Sequence, residues 1–209
     1  MISIENKFIF THIGRTGGGS IEAALINYGE KKPHRSPYFL NDPKVVEFEA
    51  SQHWTSMEEK KVLDGEIWNE CFKFTIVRNP WDRIVSQYKG HVVKEIPGLS
   101  FEQYLYKSFI EKISHDDLRF IQPCMDWITD EKGNMLVEHI GRFETLQEDF
   151  NIICEVLKIP KTILPHINKN PNKEPYKNYY TPELAKLVAD IFEKDIYLQI
   201  MNIYYYTFS

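Results

Sequence analysis

The chain has 209 residues, 43% of them apolar and 26% charged, the balance of an ordinary globular protein long enough for one substantial core. A net charge of −5 and an isoelectric point near 5.8 argue against a nucleic-acid partner, which calls for a basic excess. An acidic chain that binds an anion must gather its positive charge and backbone donors into a short motif.

The first seven residues, Met1-Ile2-Ser3-Ile4-Glu5-Asn6-Lys7, carry neither a basic leader nor a long apolar run. No stretch approaches the ~20 apolar residues of a membrane span. A cytoplasmic protein is expected. Cys71, Cys124 and Cys154 are far apart, odd in number and without metal-ligand spacing, so buried free thiols are expected. No carboxylate cluster is arranged to hold a metal, and none is expected.

In chain order, residues 7–11 (KFIFT) read as a short buried strand, followed at once by a glycine loop. Residues 20–28 have helical spacing at Ile21, Leu25 and Tyr28, with Gly29 closing the helix. Residues 31–43 hold three prolines and read as irregular, and 45–50 as a second strand. A short helix over 55–63 is capped by Thr55 or Ser56. Residues 71–77 (CFKFTIV) form a strand that ends at Arg78-Asn79-Pro80, and 81–92 a helix with Pro80 in its first turn. Ser100-x-x-Gln103 and Thr145-x-x-Glu148 have the form of capping boxes, opening helices at 101–112 and 146–158. Residues 136–143 read as a strand between them. The polar stretch 160–180 holds four prolines and is long for a connection. Thr181-Pro182-Glu183 opens the last helix, to about Lys194. Strands alternating with helices predict a single α/β domain over 1–209, a three-layer P-loop-like fold with a mostly parallel central sheet flanked by helices.

Two segments carry chemistry. The first is His12-Ile13-Gly14-Arg15-Thr16-Gly17-Gly18-Gly19-Ser20, between a strand and a helix. Glycines let the backbone curl so that successive N–H groups point at one anion, and the helix start adds partial positive charge. Arg15 adds a full charge, and Thr16 and Ser20 add hydroxyls. A Walker A loop needs Lys before its final Ser or Thr; Gly19 stands there instead. That weakens a kinase or NTPase reading.

The second segment runs from Phe74 to Tyr88 and contains Val77-Arg78-Asn79-Pro80-Trp81-Asp82-Arg83-Ile84-Val85-Ser86. It sets Arg78 at a strand end and Ser86 two turns into the next helix. A guanidinium and a hydroxyl suit a second phosphate. Arg83 reads either as a further contributor or as the partner of Asp82 or another acid.

Together the two segments resemble the sulfotransferases that use 3′-phosphoadenosine 5′-phosphosulfate (PAPS), especially the carbohydrate branch with the chondroitin and heparan sulfate 2-O enzymes. The first loop resembles the family's HIPKTGGTS and the second its VRNPxxRxxSxY. The resemblance implies that Gly14, Arg15, Thr16, Gly17, Gly18, Gly19 and Ser20 hold the 5′-phosphosulfate. It implies that Arg78 and Ser86 bind the 3′-phosphate. It extends to His53, to Gly141-Arg142-Phe143-Glu144, and to His166-Ile167-Asn168-Lys169 with the helix from Thr181, where Asn168 and Lys169 would cover the nucleotide. The family's Pro-Lys is replaced by Gly14-Arg15 and its second Thr by Gly19. Arginine keeps the charge of the lysine without its compact ammonium.

What the resemblance implies is in-line sulfuryl transfer from PAPS to a hydroxyl, a carbohydrate by the branch. Arg15 and the loop amides stabilise the leaving phosphate, and His53 is the candidate base. An unperturbed imidazole is mostly neutral at pH 7. The competing reading of His53 is a capping or surface histidine. The competing functions are a P-loop nucleotide kinase or NTPase, and a non-catalytic nucleotide- or glycan-binding relative.

Overall fold

The computed structural model describes residues 1–28, 53–111, 118–167 and 174–197. They fall into two compact units, one formed by Met1–Val77 with Asp126–Lys169 and the other by Arg78–Met125 with Asn170–Ser209. The strand expected at 45–50 and the irregular stretch at 31–43 lie outside the described residues.

The first unit is built on a sheet of order β1-β2-β3-β4: β1 (Ile2–Ser3), β2 (Phe8–Thr11), β3 (Phe72–Val77) and β4 (His139–Arg142). β1 pairs antiparallel with β2; β2 with β3 and β3 with β4 are parallel. The register sets Phe10 opposite Phe74 and Thr11 opposite Thr75. All four residues of β2 are buried, the condition of a parallel strand covered on both faces. On one face Phe8, Phe10, Phe74 and Ile76 pack against Ile21 and Leu25 of α1 (Gly18–Leu25) and Phe150 and Ile153 of α8 (Leu146–Leu157). On the other, Ile9 packs with Leu63, the residue that closes α2 (Ser56–Val62), and with Trp68 of α3 (Gly65–Glu70). The mixed α/β architecture with a mostly parallel sheet between helices is the one expected from the alternation of elements.

The second unit is helical. α4 (Pro80–Gln87) runs into a π-helical turn at Tyr88–Val92 and the short α5 (Val93–Glu95). α6 (Phe101–Leu105) likewise runs into a π-helical turn at Tyr106–Ile110. Short α7 (Cys124–Ile128) spans the end of this unit's first segment at Met125, and α9 (Pro182–Ile191) is its last helix. Its core joins Ile84, Val85 and Tyr88 to Phe101, Tyr104, Leu184 and Val188. The tyrosine hydroxyls there are committed: Tyr88 donates to Leu99 O and Tyr180 to Trp81 O. Asp195 accepts from the amides of Cys124 and Met125.

Local signals and structure agree at several helix starts. Thr55 and Ser100 form full capping boxes with Glu58 and Gln103, and Thr181 caps α9. Thr145 departs from its expected box. Its hydroxyl donates to Asp149 Oδ2 at 2.7 Å and caps no amide. The same carboxylate also accepts from Arg142 N at 3.0 Å, so it anchors the Thr145 hydroxyl toward itself and away from the first turn of α8. α1 begins two residues earlier than expected because Gly18 and Gly19 join the helix. β4 is shorter than 136–143, because the chain first bridges Met135 back to Thr129 and leaves the sheet at Phe143.

One buried carboxyl sits beneath the sheet. Glu59 of α2 is 3% exposed and takes a hydrogen bond from Thr11 Oγ1 at 2.6 Å, while Thr11 also meets Ser56 Oγ at 2.8 Å. Burial pushes this carboxyl up to about 7 from its ordinary 4.5. Between those values the folded protein keeps a proton that the unfolded chain loses. Stability therefore falls as pH rises from about 4.5 to about 7 and then levels. Glu59→Gln is expected to be neutral near pH 4 and to stabilise by up to about 3 kcal/mol above pH 7. Denaturant melts of both proteins at pH 4 to 8 check this; a difference that does not grow with pH would refute it.

Candidate active site

The glycine loop leaves the carboxyl end of β2. Arg15 (φ 67°) and Gly17 (φ 88°) both take left-handed backbone, so the chain curls twice within three residues. For arginine that conformation costs on the order of 1 kcal/mol. Thr16 is buried and donates its hydroxyl to Ile13 O at 2.7 Å, which closes the curl. Its side chain thus shapes the loop in this structure. Ser20 N donates to Gly17 O at 3.0 Å, and Ser20 Oγ accepts from Ile167 N at 3.4 Å.

α1 starts at this curl, and its start differs from the others. α2, α3, α4, α6 and α9 each have a capping side chain and an acid in the first turn. α1 has neither. Gly18 and Gly19 are its first helical residues, whose N–H groups have no intrahelical acceptor. A curl with a cation and an uncapped helix start is suited to an anion.

Each glycine has a separate reason. Gly17 has positive φ, and a Cβ there would stand 2.9 Å from Phe143 Cδ2. A Cβ on Gly18 would overlap the ring of His12. Gly19 is open: a Cβ would meet only Ile167 Cγ2, at 3.8 Å. The Cβ of the Thr in the resembling motif would therefore find ordinary contact distance where Gly19 stands.

His12 and His53 follow the same end of β2. His12 is buried, with its ring stacked on Phe10 at 5.6 Å and its Nδ1 donating to Glu22 Oε1 at 2.9 Å. His53 Nδ1 lies 2.9 Å from the His12 carbonyl. A carbonyl only accepts, so Nδ1 carries the proton and the neutral ring keeps its lone pair on Nε2. The His53 ring stands edge-on to His12 at 4.5 Å and to the buried Trp127 at 6.5 Å. Burial first, then the neighbouring His12, pushes His53 down to about 4. The half-buried imidazole is therefore neutral at physiological pH.

Arg78 is the residue that follows β3. Its Nη2 and Nε both donate to Asp82 Oδ2, at 2.8 and 3.2 Å, and both residues are buried. Asn79 caps α4 through Asp82 N at 3.2 Å, and Pro80 occupies the first turn. Asp82 and half-buried Ser86 lie one turn apart on the same helix face. Arg83 is buried, and its Nη1 donates to Gln122 O at 2.7 Å. Within this motif, therefore, Asn79, Pro80 and Asp82 hold the helix start and Arg78, while Arg83 ties the helix to a loop.

Gly141 is explained by close packing, since a Cβ would stand 2.7 Å from Ile76 Cδ1 and 3.0 Å from Asp149 Cβ. The residues that follow that strand bring Phe143 and Leu146 against Gly17. Asn168 and Lys169 lie outside the described residues. Sequence reasoning missed Glu22: it reads as an ordinary polar residue of α1, and only its burial against His12 marks it. Among the described residues no group of His, Cys, Asp or Glu is placed to hold a metal ion. No described helix is long and apolar enough to cross a membrane.

A model of the sulfotransferase family matches residues 1–209. The chain belongs to the sulfotransferase family. Sulfuryl transfer is the reaction class of this family. The sulfotransferase fold is shared with a crystal structure of a sulfotransferase from Alicyclobacillus acidocaldarius, at a TM-score of 0.53 and 16% identity over 90% of this chain and 92% of that one. An uncharacterized protein of Archaeoglobus fulgidus is 30% identical over 112 residues, 52% of this chain and 82% of that protein.

The two open and closed glycines give this sulfotransferase a direct test. Gly18→Ala is expected to lose about 2 kcal/mol through the overlap with His12, whereas Gly19→Thr folds as the wild type does. Thermal melts compare them, and equal melting points for Gly18→Ala and the wild type would contradict the packing described.

Proposed function

We propose that this sulfotransferase moves a sulfuryl group from PAPS to a hydroxyl acceptor, a sugar hydroxyl in keeping with the carbohydrate 2-O branch that its motifs resemble. The observation that carries the reading is the uncapped start of α1 at the Arg15–Gly17 curl. In this reading the amides of Gly17, Gly18 and Gly19 with Arg15 take the 5′-phosphosulfate. Arg78, held in plane by Asp82, and Ser86 take the 3′-phosphate. Asn168 and Lys169 cover the nucleotide. A net charge of −5 favours a sparsely charged acceptor over a densely sulfated one.

The acceptor oxygen attacks sulfur as the bond from sulfur to the phosphate oxygen breaks, in the in-line manner of phosphoryl transfer. The bisphosphate leaves with the electron pair, stabilised by the preorganised loop amides and Arg15. The hydroxyl proton passes to His53 Nε2, whose lone pair is fixed there by the Nδ1 hydrogen bond to His12 O. Such general-base help is worth ~10²–10⁴-fold.

Calorimetric titration with 3′,5′-adenosine bisphosphate, beside ADP and ATP with Mg²⁺, tests the donor. Selective binding of the bisphosphate, weakened at least ~100-fold in Arg78→Ala by loss of a charge-assisted contact, supports it. A preference for ATP would refute it. The base has its own test once a carbohydrate screen has found an acceptor. A His53 that protonates only near pH 4 predicts a kcat/KM without an imidazole limb between pH 5 and 8. His53→Ala should lower kcat by ~10²-fold or more; near-normal turnover would remove His53 from the reaction.

A further inference from the structure

We propose that Glu22 is a positioning residue for this site, acting through His12 to hold both the Gly18 turn of the loop and the ring of His53. The inference rests on the reading of the loop as the donor site and His53 as the base.

Glu22 lies on α1 with 3% of its surface exposed. A carboxylate so buried requires a partner, and His12 Nδ1 supplies one at 2.9 Å. That contact, with Phe10 stacked on one ring face, fixes the His12 ring. The opposite edge of the ring, Cδ2 and Nε2, fills the space where a Cβ of Gly18 would stand. The ring thus forms the floor of the first helical turn of the loop. The backbone of the same residue does the second task, since its carbonyl receives the Nδ1 proton of His53 at 2.9 Å. The two rings meet edge to face at 4.5 Å. One buried carboxylate therefore bears on the loop through a side chain and on the base through a main-chain carbonyl. An apolar residue in place of Glu22 would fill the volume but leave the His12 ring free to turn or change tautomer.

The test uses the full chain with Glu22→Ala and Glu22→Gln. Nitrogen-15 histidine spectra at pH 7, assigned with His53→Ala, read the His53 tautomer. Titration with 3′,5′-adenosine bisphosphate reads the loop. The wild type is expected to show His53 with its proton on Nδ1. Glu22→Ala is expected to lose that preference and to weaken bisphosphate binding about tenfold. Glu22→Gln, whose amide oxygen still accepts from His12, retains most of both, and it alone decides the matter if Glu22→Ala does not fold. An unchanged His53 tautomer together with unchanged affinity in a folded Glu22→Ala, or a Glu22→Gln no better than Glu22→Ala, would overturn the proposal. If the wild type fails to bind the bisphosphate, the donor reading falls, while a shifted His53 tautomer in Glu22→Ala still upholds the role of Glu22.

Discussion

A strand buried on both faces depends on its neighbours for every backbone hydrogen bond and on the layers above and below for its side chains. β2 is in that position, and its parallel pairing with β3 is the constraint from which the first unit follows. The pairing aligns Phe8 and Phe10 with Phe72 and Phe74, so one face becomes an aromatic seam covered by α1 and α8. It also brings Thr11 opposite Thr75, whose hydroxyl donates to Thr11 O at 2.7 Å. The strand is thereby held to its last residue, and the chain must turn sharply into α1. The turn is the loop.

Several buried polar groups gather at that end of β2. Thr11, Ser56, Glu59, His12 and Glu22 are all buried. Such a cluster is costly unless each member is partnered, and here each has a short contact. The left-handed Arg15 adds backbone strain at the same place. The aromatic seam and the parallel ladder offset these terms, so that a firm strand carries a strained and polar tip. Rigid support is what an anion site built from backbone amides needs, because displaced amides lose their aim.

The second motif solves a similar problem with local means. Arg78 is oriented by a carboxylate four residues later, and the helix that carries this acid is started by Asn79 and Pro80 in between. Orientation, cap and helix start are contained in five consecutive residues. This economy accounts for the specificity of the motif in the sequence.

Where interactions are local, the amino-acid sequence alone determined the outcome. The strand at 7–11, the capping boxes at Thr55 and Ser100, the cap at Thr181, the proline-led start of α4 and the glycine loop were all legible, because each depends on neighbours within a few residues. So was the family, which the order of the two motifs carries. Tertiary structure decided what depends on residues far apart. Thr145 turned to Asp149 instead of closing its box, because that carboxylate is fixed by the packing of α8 on Gly141. Gly18 was constrained by the ring of His12 and Gly17 by Phe143, whereas Gly19 was left open. Glu22 and Glu59 read as ordinary polar helix residues until the sheet covered them. The tautomer of His53 was set by a carbonyl 41 residues away. Local pattern specifies which turns and helices form; burial, which no local pattern encodes, decides which polar groups must find each other.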